Sequence, residues 1–259
     1  MMDDTPRIAF TRDISPALAD CELTHLAREP IDVDRARAQH AAYEDALRSL
    51  GCTVHRLPAG AELPDSVFIE DAAVVLDEVA VITRPGAESR RGETEAVADA
   101  LATYRPLARL EAPATLDGGD VMVVDRAIFV GRSARTNEAG IEQLRRAVAE
   151  FGYTVQGVEV TGCLHLKTAV TCVGGGRLLI NRDWAPADAF DGYTLIDVDP
   201  AEPFAANGLP VGGSVIYPEA FPRTRARLEA HGIGVVTVPA DELAKAEGAV
   251  TCCSLVFRG

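Results

Sequence analysis

Short apolar runs recur along the chain in pairs. Each pair follows a polar or glycine-bearing turn, is split by a tight turn, and generally leads into a helical pattern. Glu70-Asp71 leads into Ala72–Leu76, a turn at Asp77-Glu78, and Val79–Thr83. Residues 92–101 then place Ala96, Val97, Ala100 and Leu101 at helical spacing. Asp117-Gly118-Gly119-Asp120 leads into Val121–Val124, a turn at Asp125-Arg126, and Ala127–Val130, with a helix expected over 138–150. His165-Leu166-Lys167 leads into Thr168–Val173, three glycines, and Arg177–Ile180. Ala206-Asn207 leads into Leu209–Val211, Gly212-Gly213, Val215–Tyr217 and a helix over 223–231. Gly248 leads into a last apolar run, Val250–Phe257, expected to be a strand.

The anchors at 71, 117, 165, 207 and 250 lie 42 to 48 residues apart. Each unit ends in an exit strand: Thr53–Leu57, Ala108–Glu111, Thr154–Val160, Thr194–Val198 and Gly234–Pro239. The last unit lacks its second strand and helix, and the N-terminal segment supplies both, as Ile8–Thr11 and a helix over 31–50. A short apolar hairpin cannot cover its own faces, so such units stabilise one another by packing in a closed ring. The expected fold is therefore a single α/β domain over 1–259, with five ββαβ-like units around a pseudo-fivefold axis. The competing arrangement is an open α/β sheet.

Rotation about such an axis would gather the anchors at one end: Asp71, Asp117, His165, Asn207 and, beside the last, Cys252. A thiol with an imidazole is the arrangement for covalent catalysis, and a nearby imidazolium lowers a thiol pKa. Paired carboxylates suit a planar cation, to which each can offer a bidentate acceptor. Taken singly these residues read otherwise. Cys252 would be a buried structural thiol, His165 a core histidine, and Asp117–Asp120 a turn. Their shared place in the repeat favours chemistry.

Charge fits a cationic ligand. With 25 Lys+Arg against 39 Asp+Glu the formal net charge is −14, which repels phosphate backbones, and no basic run offsets it. Nucleic acid is excluded as a partner, and plain solubility accounts for most of the acidity. Met1–Pro6 begins with acid where a signal peptide needs base, and no apolar run reaches membrane-spanning length. A cytoplasmic protein with no membrane partner is expected, its six cysteines free thiols without zinc-ligand spacing.

Six segments resemble, in order, motifs of the dimethylarginine dimethylaminohydrolases: Pro64–Asp71, Ile82–Arg91, Leu116–Asp120, Ser133–Asn137, Leu164–Lys167 and Thr251–Ser254. The resemblance implies the five-bladed pentein α/β propeller and cofactor-free hydrolysis of Nω-methylated arginines to citrulline and an amine, with no catalytic metal. It implies Cys252 as nucleophile, His165 as general acid and base, and Asp71 with Asp117 on the guanidinium. Glu70 would support that segment and Phe68 line the pocket. Arg90 and Arg135 would hold the substrate carboxylate and Asp65 its amino group, with backbone contacts near Leu23 and Ala246. On their own, Arg90-Arg91 reads as a solvated pair in a polar loop and Arg135 as a helix-end charge.

The same fold family includes arginine deiminases, agmatine deiminases, amidinotransferases and non-catalytic binding modules. Agmatine lacks the carboxylate that two arginines would serve, and a binding module would have lost the thiol and imidazole. Arginine itself remains the nearest alternative substrate. Residues 18–28 are the candidate lid, Cys253 is expected on the strand face opposite Cys252, and the protein is expected as a monomer or homodimer.

Overall fold

In the computed structural model, which describes residues 7–259, fifteen strands form five three-stranded sheets. The stretch Met1–Pro6, read above for a targeting signal, lies outside the described residues. The chain opens with β1 (Arg7–Arg12), α1 (Val33–Ser49) and β2 (Cys52–Leu57). A complete unit follows: β3 (Ala73–Val75), β4 (Ala80–Ile82), α2 (Thr94–Leu101) and β5 (Leu107–Arg109). The next comprises β6 (Val121–Val124), β7 (Ala127–Arg132), α3 (Glu138–Val148) and β8 (Thr154–Glu159). The short α4 (Leu166–Ala169) precedes β9 (Val170–Cys172), β10 (Arg177–Ile180) and β11 (Thr194–Asp197). Then come β12 (Leu209–Val211), β13 (Ser214–Pro218), α5 (Pro222–Ala230), β14 (Gly234–Val238), α6 (Asp241–Ala244) and β15 (Leu255–Arg258).

Every sheet has one plan: an antiparallel hairpin whose second strand also pairs in parallel with the exit strand. The ring closes as expected, because β15 pairs antiparallel with β1 (Ile8 opposite Phe257) and β1 runs parallel to β2. This is the pentein α/β propeller, with the first blade completed by the last strand.

The core is divided accordingly. Five apolar clusters each lie between two neighbouring blades, such as Val74, Val81 and Leu116 against Val121, Ile128 and Ile141. Another joins Met122 and Phe129 to Leu178, Ile180 and Phe190. No blade owns a core, so each depends on its neighbours.

Two expectations need correction. The fourth unit has no α-helix between β10 and β11; a 3-10 turn at Ala187–Phe190 stands there. That connection is short and carries Pro186 and a positive-φ Gly192, and Trp184, Ala185 and Phe190 fill the wedge instead. The final strand begins only at Leu255, and residues 250–253 form a turn. Among the described residues no helix is long and apolar enough to cross a membrane.

Candidate active site

Three inner hairpin strands are preceded by a single helical turn: Ile69–Ala72 before β3, Gly118–Asp120 before β6, and α4 before β9. The turn at 250–253 precedes β15 in the same way. These turns pack on one another around the axis, and the backbone N–H of Glu70 donates to the Cys252 carbonyl (3.1 Å). Asp71, His165 and Cys252 thereby reach one cavity of about 20 Å3, whose lining also includes Asp65, Phe68, Arg90, Arg135 and Ala246. Asp117 stands beside it, bonded to His165.

Glycine makes the close approach possible. A Cβ at Gly118 would collide with the Glu70 carbonyl. One at Gly119 would sit 2.5 Å from Nδ1 of His165 and 2.9 Å from Oδ1 of Asp71. Gly119→Ala is therefore expected to displace the imidazole and lower kcat by about 10^2-fold, since misplacement by about an ångström costs that much. Steady-state kinetics beside a circular dichroism spectrum checks this. Unchanged kcat in a folded variant would show that the turn yields without disturbing His165.

His165 Nε2 lies 3.1 Å from Oδ2 of Asp117, and the other oxygen of Asp117 accepts the Gly86 N–H (2.8 Å). Burial disfavours the imidazolium, but Asp71, the bond to Asp117 and Asp120 outweigh it and raise His165 to about 9. Burial likewise opposes the Asp71 carboxylate, yet His165, Arg90 and the Gly119 N–H (2.8 Å) bring it down to about 2. Cys252 behaves in the opposite way. Part of its surface opens on the cavity, but protein surrounds it at longer range. Burial first, then the charges of Glu70 and Asp71, push its thiol up to about 12. Burial and the two carboxylates outweigh the lowering by the Ala249 backbone and Lys167.

Arg90 is almost wholly buried, and its guanidinium is committed within the protein. Nη1 donates to Asp71 (2.6 Å), Nε and Nη2 donate to Glu93 (3.1 and 2.8 Å), and Nη2 also reaches the Asp65 and Phe68 carbonyls. It is a brace of the wall rather than an open cationic hand. Arg135 differs: Nη2 donates to Thr24 Oγ1 (3.1 Å), while Nη1 is buried without a hydrogen-bond partner, 3.9 Å from Asp117. Asp65 accepts the Glu22 N–H (3.1 Å).

Besides Asp117, Glu70 and Leu23 fall outside the cavity lining. Glu70 turns to the other mouth of the axis, where Lys167 Nζ (2.5 Å) and Thr251 Oγ1 (2.9 Å) donate to it. Leu23 packs against the wedge between the first and last blades, while its neighbour Glu22 lines the cavity. Sequence reasoning missed Asp120, a buried carboxylate that accepts Ser133 Oγ (2.5 Å), Thr136 Oγ1 (2.6 Å) and the Leu166 N–H (2.9 Å). It pins the turn that presents His165. Its signal was the second acid of Asp117-Gly118-Gly119-Asp120. Asp71, Asp117 and His165 offer ligand atoms within 4.8 Å of one another, with the Arg90 cation already on Asp71.

A five-bladed ring with a thiol, an imidazole and carboxylates at one end of its axis defines a pentein of the kind that works on guanidino groups. The profile of the family described as "N,N dimethylarginine dimethylhydrolase, eukaryotic" matches residues 25–256. The N(G),N(G)-dimethylarginine dimethylaminohydrolase of Pseudomonas aeruginosa is 36% identical over 90% of this chain and 92% of its own. That of Streptomyces coelicolor is 39% identical over 96% of both. A solved structure of the Pseudomonas aeruginosa protein, a cysteine-to-serine mutant complexed with citrulline, superposes with a TM-score of 0.92, covering 96% of this chain and 98% of that one. The chain belongs to the dimethylarginine dimethylaminohydrolase family.

Proposed function

We propose that the protein hydrolyses Nω-methylated arginines, asymmetric dimethylarginine and monomethylarginine among them, to L-citrulline and dimethylamine or methylamine. Family membership carries the reaction class. The observation that supports the substrate is the mix of charges around one cavity. Asp71, His165 and Cys252 line it together with Asp65 and Arg135, and Asp117 stands beside it on His165. Nη1 of Arg135 has no hydrogen-bond partner and lies 3.9 Å from Asp117. A buried guanidinium nitrogen without an acceptor is costly, and a substrate carboxylate would satisfy it.

In this reading the substrate guanidinium, held at Asp71 and Asp117, stabilises the Cys252 thiolate as the thiol proton leaves to solvent. Sγ attacks the guanidine carbon and forms a C–S bond. The imidazolium of His165 donates its proton to the departing amine as the C–N bond breaks, leaving an S-alkylthiouronium. Neutral His165 then takes a proton from water, whose oxygen bonds to the same carbon. The C–S bond breaks as the hydroxyl proton passes to the departing sulfur, restoring the thiol and releasing citrulline. Asp117 holds the imidazole through Nε2.

A substrate panel tests the assignment. Asymmetric dimethylarginine is expected to yield citrulline, and agmatine to react roughly a hundredfold less efficiently, because it leaves Arg135 unpaired. Equal or faster turnover of arginine would move the protein to the deiminases.

A further inference from the structure

We propose that Glu247 is a positioning residue, the latch that keeps residues 22–26 over the substrate cavity whether or not substrate is bound. Its two carboxylate oxygens accept three consecutive backbone N–H groups, those of Thr24 (3.0 Å), His25 (2.5 Å) and Leu26 (2.6 Å). These amides belong to a segment with no regular structure and mostly exposed side chains. The carboxylate takes the place of the ladder that a strand would supply.

The backbone at Glu247 points to function as well. Its φ is +59°, in the left-handed region that glycine or asparagine occupies more readily than glutamate. A residue held there against its preference reflects a need for its side chain. Glu247 also lines two cavities at once, the substrate cavity and a larger neighbouring one, so it stands in the wall that the segment must seal.

The segment's other ties explain why a separate latch matters. Asp65 accepts the Glu22 N–H, Arg135 donates to Thr24 Oγ1, and an exposed Ser89 hydroxyl donates to Glu22 (2.6 Å). On the functional reading above, on which this inference rests, Asp65 and Arg135 are also the groups that receive the substrate's amino and carboxylate ends. Substrate therefore competes with the segment for both. Glu247 has no such second duty, and it sits in the loop after α6, one turn before the Cys252 turn. The lid is accordingly shorter than residues 18–28, because Leu18 and Cys21 are fully buried in the wedge between the first and last blades.

The test measures amide hydrogen exchange and kinetics in three variants. Glu247→Gln keeps the side-chain length, and Glu247→Gly removes the carboxylate while relieving the positive φ, so it protects against misfolding. Glu247→Asp keeps the charge on a shorter arm. Without any ligand, exchange at Thr24, His25 and Leu26 is expected to accelerate about tenfold or more in Gln and Gly, and less in Asp. With the best substrate of the panel, KM is expected to rise about tenfold in Gln and Gly while kcat stays within about twofold, with partial recovery in Asp. Unaccelerated exchange overturns the latch. Accelerated exchange with unchanged KM overturns its positioning role, as does a fall in kcat at constant KM. A wild-type protein inactive on the whole panel fails the functional reading, and the exchange measurement, which needs no substrate, separates that failure from this one.

Discussion

Replacing Cys252 by serine is expected to reduce citrulline formation by about 10^4-fold or more, whereas Cys253→Ser leaves it within a few-fold of wild type. The two sulfurs are neighbours in sequence and differ in everything that matters. Cys252 opens on the cavity beside Asp71 and His165. Cys253 is buried in the wedge between the first and last blades, where its Sγ faces the Ala249 carbonyl (3.4 Å). Burial pushes the Cys253 thiol far above its ordinary value, with Cys252 and Glu70 adding to the shift, and its place in the core keeps it from any substrate in the cavity. Serine in place of Cys252 supplies an alcohol of far higher pKa, and one bound cation cannot ionise it. The expected cost of Cys253→Ser is stability, about 1–2 kcal/mol for a hydroxyl placed among apolar side chains. Thermal unfolding beside a citrulline assay separates the two effects. A fatal Cys253→Ser with an active Cys252→Ser would put the chemistry on the other sulfur.

The ring was legible in the sequence because its cause is local. Paired apolar runs of similar spacing cannot each close a core, and the unpaired last unit needs the strand found at the start of the chain. The anchors were legible for a related reason, since each lies where the chain turns inward to a hairpin. Directions within a turn were not. A 3-10 turn advances each side chain by about 120°. Adjacent Glu70 and Asp71 therefore point to opposite mouths of the axis, one to Lys167 and the other towards His165 and Arg90. Cys252 and Cys253 likewise lie in a turn, so strand alternation was the wrong basis for their directions. Arg90 on its own reads as a solvated loop residue because its partners are tertiary. Glu93 lies three residues on, eclipsed with it in a 3-10 stretch, but Asp71 comes from another turn altogether. A buried guanidinium needs such partners, and only the folded chain shows them. The latch at Glu247 lay beyond sequence reasoning too, because its three amides are more than 200 residues away.

The pH dependence follows from the two displaced pKa values and is expected to be steep. Turnover needs the Cys252 thiolate together with the His165 imidazolium. In the free protein His165 titrates at about 9 and Cys252 at about 12, so at neutral pH both protons are in place. The thiolate fraction then grows tenfold per pH unit, and kcat/KM should rise by roughly a thousandfold from about pH 6 to about pH 9. Above about 9 the imidazolium falls as fast as the thiolate grows, and the profile should flatten rather than peak. The bound guanidinium favours the thiolate, so kcat, which reports the complex, should level off at a lower pH than kcat/KM. Asp117→Asn removes the charge hydrogen-bonded to Nε2, one of the influences that raise His165, and should start the plateau at lower pH and reduce its height. Initial rates of citrulline release across the range, for both proteins, provide the check. A kcat/KM profile already flat through the neutral range would mean that the thiolate preexists in the free protein. Burial and the carboxylates of Glu70 and Asp71 would then not be setting the state of Cys252, and the ion pair rather than the substrate would supply the nucleophile.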